Sequence, residues 1–210
     1  MLKHFALLPL LASAALAQEA PPQPPTDPDF PAARVELGKG ADEVPGNFLD
    51  AGTEWITFGL GGGAGNNDVN NGHVFASWST FLDDGVEFIV EGAGHYFEQP
   101  DKDAAGGTLS ALFRWHWWYS EHGEQEEPRW TSYLDIGIGL MGTTDDVPEE
   151  GTSFNFSPRV GAGVTRLINE DWRLNAGVRW LHVSNGRIWG EDDNPAVDGA
   201  VLYLGFTRRF

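Results

Sequence analysis

From about residue 53 to the C-terminus, apolar and polar residues exchange places at nearly every step, in segments about ten residues long. In 108–119, Leu109, Ala111, Phe113, Trp115 and Trp117 alternate with Ser110, Arg114 and His116. In 129–142, Leu134, Ile136, Ile138 and Leu140 alternate with Tyr133, Asp135, Gly137 and Gly139. In 153–167, Phe154, Phe156, Val160, Ala162 and Val164 alternate with Asn155, Ser157, Arg159, Gly161 and Gly163. Successive side chains of a strand lie on opposite faces, so each segment predicts a strand with one apolar and one polar face. Eight such segments follow one another, at about 53–62, 72–82, 86–97, 108–119, 129–142, 153–167, 172–184 and 199–210. Segments of ~10 residues with a two-residue period are the signature of a transmembrane β-barrel.

A soluble β-sandwich would alternate as well, so the polar face decides between the two. Here it carries Glu87, Glu91, Arg114, Asp135, Arg159, Arg173 and Arg179 at mid-strand positions. The apolar face is rich in tryptophan and phenylalanine, and the chain ends on Phe210 at an apolar-parity position. An open sheet edge is not viable in hydrocarbon, so the sheet must close. The expected fold is therefore all-β: an eight-stranded antiparallel transmembrane barrel of the outer membrane. Eight strands leave an interior that side chains just fill. The inward acids and arginines are then a packed ion-pair network, because buried charges survive chiefly when paired.

The N-terminus sets the compartment. Lys3 precedes an apolar run from Phe5 that ends Ala15-Leu16-Ala17, a secretory signal over 1–17 cut before Gln18. The run is too short for a bilayer-spanning helix, which needs ~20 residues. Residues 18–50 hold Pro21, Pro22, Pro24, Pro25, Pro28 and Pro31 and read as a disordered leader, leaving 51–210 for the barrel. The chain has no cysteine, which excludes disulfides and lipoprotein acylation at the cut. Losing Lys3 with the signal takes the formal charge from −18 to −19, which argues against nucleic acid as a partner. Short turns at 83–85 and 169–171, with the longer 121–128 turn and both termini, belong on the periplasmic side of a Gram-negative outer membrane. Longer loops at about 63–71, 98–107, 143–152 and 185–198 belong outside.

One pair of residues breaks the apolar face. Trp172, Leu174, Ala176, Val178 and Trp180 share a parity, and His182 and Ser184 continue it. Both residues thus point at lipid, near the outer leaflet. A serine hydroxyl is a poor nucleophile until a base takes its proton, and a third group should orient that base. Asp198 shares the parity of Ala200, Leu202, Leu204 and Phe206 on the last strand. A pairing of 184 with 198, and of 182 with 200, would make Asp198 a cross-strand neighbour of Ser184 and a diagonal neighbour of His182. Glu191, Asp192 and Asp193 are rivals in mid-loop. His-x-Ser alone is a weak motif, and on the pattern alone an interfacial histidine is the plainer reading. No G-x-S-x-G occurs. His73, His95 and His116 have inward parity, His122 lies in a turn, and no set of ligands has metal-binding spacing.

The stretch His182-Val-Ser184-Asn185, then Asn194-Pro195-Ala196-Val-Asp198, then a last strand ending in Phe210, resembles the lipid A 3-O-deacylases, also called acyloxyacyl hydrolases. Phe81-Leu-Asp-Asp-Gly85-Val-Glu and Phe113-Arg114-Trp-His116-Trp-Trp look like segments of the same family, so the resemblance runs from about 70 to 210. It implies a barrel whose active site lies on the outer, lipid-facing surface. It further implies Ser184 as nucleophile, His182 as general base and Asn185 as an oxyanion stabiliser. This chain has Ala196 where the family usually has glycine. Aligning on Asn194-Pro195 puts the acid at Asp198; aligning by distance from His182 puts Ala196 there, which cannot serve. Asp198 is the preferred acid and Glu191 the reserve.

The expected function is a carboxylic ester hydrolase that removes an acyl chain, 3-O-linked by the resemblance, from lipid A of lipopolysaccharide, with no cofactor and no metal. The alternative is a structural or adhesive eight-stranded barrel without catalysis. Acyl transfer between lipids would need a cavity for a second lipid inside the barrel, and the inward charges argue against one.

Overall fold

The computed structural model describes residues 47–122, 126–188 and 194–210. It contains β1 (Glu54–Gly65), β2 (Asn70–Asp83), β3 (Val86–Glu98), β4 (Ala104–Tyr119), β5 (Trp130–Val147), β6 (Thr152–Phe156), β7 (Arg159–Asn169), β8 (Trp172–Val183) and β9 (Val197–Arg209). Every pairing is antiparallel, and β1 bonds to β9 while β4 bonds to β5, so the sheet closes on itself. β6 and β7 both pair with β5 and form one wall strand interrupted at Ser157-Pro158. Ser157 keeps the ladder by exchanging both backbone bonds with Gly139, at 2.8 and 3.1 Å. Pro158 has no N–H to give, and the regular strand stops there. The protein is an eight-stranded antiparallel barrel.

The two faces separate as the alternation requires. Leu109, Phe113, Trp115, Trp117, Leu134, Ile136, Ile138 and Leu140 are exposed on the outside. A band of large apolar side chains around the whole wall suits hydrocarbon and not water. Arg114, Asp135, Arg159 and Arg179 are all buried inside. Arg179 reaches Glu91 and Asp135 at 3.1 Å each, Arg159 reaches Glu91 at 2.6 Å, and Arg114 reaches Asp135 at 3.2 Å and Glu87 at 3.4 Å. Three arginines thus face three carboxylates, and removing any one would strand its partners in a medium of low dielectric.

Beside this layer the hydroxyls of Tyr133 and Tyr203 meet at 2.7 Å, with the Arg114 and Arg179 guanidinium groups 4.0 and 4.4 Å from the respective ring centroids. Glycine makes room for both rings. A Cβ on Gly163 would lie 2.4 Å from the Tyr133 hydroxyl, and one on Gly177 would lie 2.6 Å from that of Tyr203. Among Thr57, Glu91, Arg114 and Tyr203 only about 10 Å³ of open space remains, roughly enough for one water.

The loops at the far end are shorter than the sequence suggests. Those expected at about 63–71, 98–107 and 143–152 shrink to 66–69, 99–103 and 148–151, because β1 to β5 run on past the apolar band. The hydrophobic signal stops where the wall leaves lipid, but the backbone ladder does not. Many inward positions at that end are apolar: Val69, Phe97, Met141, Val147, Val183 and Val197 pack in one buried cluster. Val183 lies between His182 and Ser184, and Val197 precedes Asp198, so this cluster anchors both strands of the site from within. At the opposite end Phe48 packs edge-on to Trp55 and Phe81, so residues 47–50 of the expected leader dock against the barrel. The rest of that leader and the signal segment 1–17 lie outside the described residues.

Candidate active site

Trp180 is exposed and His182 half-buried on the outer face of β8, and Ser184, though buried, turns its hydroxyl toward His182, while Arg179, Leu181 and Val183 are buried inside. Ser184 lies just beyond β8, where it exchanges both backbone bonds with Phe156, at 2.7 and 3.1 Å. That rung fixes the serine although the regular strand has ended.

The pairing of β8 with β9 differs by two residues from the one expected. His182, not Ser184, stands opposite Asp198, and Trp180 stands opposite Ala200. A shift of two keeps every side chain on its face, which is why parity alone could not detect it. The consequence is favourable to a relay. The His182 N–H donates to the carbonyl of Pro158, just before β7, at 3.0 Å, and the Asp198 N–H and C=O both bond to Asn66. Both backbones therefore direct their polar groups away from each other. His182 and Asp198 form a non-hydrogen-bonded pair, the kind in which facing side chains approach most closely. A short aspartate can then reach the ring.

The side chains complete the chain of contacts. His182 Nδ1 lies 2.9 Å from Asp198 Oδ1, and His182 Nε2 lies 2.8 Å from Ser184 Oγ. With Nδ1 protonated, the ring donates to the carboxylate and Nε2 accepts from the hydroxyl; this is the tautomer a general base needs. The Trp180 ring lies 5.7 Å from the imidazole, centroid to centroid, and tilted by 30°. Ser184 is 6% exposed, whereas the His182 and Asp198 side chains are 25% and 45% exposed. The hydroxyl is tucked against the wall and the other two open outward.

Asn185 follows directly and is buried. Its Oδ1 accepts the Arg187 N–H at 2.8 Å, across a turn in which Gly186 and Arg187 both have positive φ. This bond settles the amide's orientation, with Oδ1 holding the turn and Nδ2 as the donor end. Glu191, the reserve acid, lies outside the described residues, as do Asp192 and Asp193. Among the described residues no group of three or more histidines or acids is placed to hold a metal ion. Two neighbours of the site, Pro158 and Asn66, had no signal in the sequence, since nothing local ties residue 66 to residue 198.

The sequence profile of one family, described as lipid A 3-O-deacylase (PagL), matches residues 71–207. The chain belongs to the lipid A 3-O-deacylase family. The crystal structure of the outer-membrane enzyme PagL superposes with a TM-score of 0.55 at 18% identity, covering 71% of this chain and 97% of that one. Neisserial surface protein A gives 0.49 at 16% identity, covering 75% and 96%. The outer-membrane protein OprG from Pseudomonas aeruginosa gives 0.47 at 15% identity, covering 80% and 99%. No curated protein matches the chain significantly. Membership of the deacylase family makes this barrel an outer-membrane lipid A deacylase, and the family's matched region includes His182, Ser184 and Asp198.

Proposed function

We propose that the protein is a serine esterase that cleaves a 3-O-linked acyl chain from lipid A in the outer leaflet, with its termini in the periplasm. The observation that carries this reading is the contact run Ser184 Oγ–His182–Asp198, at 2.8 and 2.9 Å, on the lipid-facing wall. His182 Nε2 takes the Ser184 proton as Oγ attacks the ester carbonyl. Asp198 keeps Nδ1 protonated and stabilises the imidazolium that forms. The Asn185 Nδ2 donates to the oxyanion of the tetrahedral intermediate, a contribution of ~3–4 kcal/mol for such a donor. The intermediate collapses, the imidazolium gives its proton to the departing sugar oxygen, and the acyl group stays on Ser184. Water, deprotonated by His182, then attacks the acyl-enzyme, and the proton returns to Oγ as the fatty acid leaves.

The site asks for a substrate that lies in the membrane, because a soluble ester would have to reach a wall covered by lipid. Transfer to a second lipid held inside the barrel is disfavoured by the ion pairs packed there, beside which the cavity lined by Glu91, Arg114 and Tyr203 holds about 10 Å³. The test is mass spectrometry of lipid A after incubation of lipopolysaccharide with the purified protein in lipid vesicles. One acyl chain lost, with a free fatty acid released, supports the reading. Unchanged lipid, or a chain gained, overturns it.

A further inference from the structure

The geometry points to Asn66 as the positioning residue for Asp198, with the β1–β2 turn acting as a clasp on the acid-bearing strand; this rests on the triad reading above. β1 pairs with β9 as far as Gly65, opposite Gly199. At the next rung the strand gives way to a turn, and Asn66 stands in for it. The Asp198 N–H donates to Asn66 Oδ1 at 2.9 Å, and the Asn66 N–H donates to the Asp198 carbonyl at 2.9 Å. A side-chain oxygen thus replaces the missing ladder acceptor.

The turn itself is built to present that oxygen. Asn67 and Asp68 both have left-handed backbone, at φ 57° and 54°, and the Val69 N–H returns to the Asn66 carbonyl at 3.3 Å. Two consecutive left-handed residues make the tight hairpin turn whose twist suits the flanking strands, and asparagine and aspartate tolerate that conformation. Asn67 Nδ2 adds a bond to the Ala196 carbonyl at 3.3 Å, and Val69 packs into the same inner cluster as Val183 and Val197. The loop therefore holds the approach to Asp198 at 196, its backbone at 198, and its inner neighbour at 197.

Why this matters for the acid follows from the pairing. β8 meets Asp198 through the imidazole rather than through ladder bonds, since His182 sends its N–H to Pro158. The carboxylate's distance to Nδ1 is then set by how firmly the backbone of Asp198 is held from the β1 side. A displacement of about 1 Å at a catalytic group can cost ~100-fold in rate.

The experiment is a cycle of four proteins in lipid vesicles: the full chain, Asn66→Ala, Asp198→Ala and the double variant, with Ser184→Ala as the reference for the site. Each is first checked for the heat-modifiable mobility of a folded barrel. We expect Asn66→Ala to lower kcat by ~10-fold or more with KM little changed, and to lower it no further once Asp198 is gone. Asn66→Asp keeps the acceptor oxygen and should stay within about threefold of the parent. If Asn66→Ala does not assemble, Asn66→Ser, too short to reach the same N–H, gives the same comparison. Equal losses with and without Asp198, or an unaffected kcat while Ser184→Ala is dead, overturn the role of Asn66 and leave the site reading intact. An active Ser184→Ala overturns the site reading itself.

Discussion

Arg179 and Trp180 are adjacent in sequence and lie on opposite sides of one barrel wall, the first buried and the second facing out. Arg179 joins the ion pairs with Glu91 and Asp135, and Trp180 lies beside the imidazole of His182. The wall is one residue thick, so on the proposed reading stability and chemistry fall to alternate positions of the same strand. Substitutions on β8 should divide by parity: odd positions change folding, and even positions near the end change activity.

Ser184→Ala should give a folded barrel with no measurable deacylation. The backbone bonds to Phe156 do not involve the side chain, so the loss of one hydroxyl should leave stability within about 1 kcal/mol of the parent. Electrophoretic mobility with and without heating tests folding, and fatty-acid release tests activity. Near-normal release would remove Ser184 from the reaction.

Asp198→Asn should lower kcat by at least ~100-fold with little change in KM, since the carboxylate acts on the imidazolium of the transition state. Glu191→Gln should cost less than ~10-fold. A side-by-side kinetic assay decides: the reverse ranking would move the acid to Glu191. Small, equal effects would mean that His182 works with Ser184 alone.

Asp135→Ala should destabilise the barrel by about 3–5 kcal/mol, because Arg114 and Arg179 would both lose a buried partner. The midpoint of urea unfolding in detergent should fall markedly. Deacylase activity below that midpoint should persist, as Asp135 is on the inner face of β5 and makes no contact with the site. An unchanged midpoint would show that the inner pairs do not hold the wall.

Gly163→Val should cost about 1–3 kcal/mol or more, since its Cβ would fall 2.4 Å from the Tyr133 hydroxyl, which is itself held by Tyr203. Tyr133→Phe in the same background should not relieve the clash with the ring, whose Cζ lies 2.5 Å from that position; Tyr133→Ala should remove the ring's share and leave the Ala176 carbonyl, 2.6 Å away, as the remaining cost. Thermal unfolding of the three variants distinguishes overpacking from a loss of strand propensity.

Much of this architecture was legible from alternation. Parity placed Arg114, Asp135, Arg159 and Arg179 inside and put His182, Ser184 and Asp198 on one outer face, because strand geometry leaves a side chain only two directions. Register was not legible. Placing 198 opposite 182 rather than 184 depends on the length of the connecting segment and on where the ladder ends, and a two-residue slip changes no face. The loops were overestimated for a related reason: Gly63, Asn70 and Asn71 look like turn residues, yet they pair in register as strand. The clasp of Asn66 on Asp198 is a contact between residues 132 positions apart, and local pattern carries no information about it.

The three arginines, three carboxylates and two tyrosines that fill the barrel also determine what it does to the membrane around it. With their charges cancelling in pairs, and only about 10 Å³ open in the cavity beside Glu87, Glu91, Arg114 and Tyr203, this layer should resist the flow of ions along the axis. A planar bilayer holding many copies should keep the electrical resistance of the bare lipid. A barrel plugged in this way can be abundant in its membrane without loading the cell's permeability barrier, with the proposed chemistry confined to its rim.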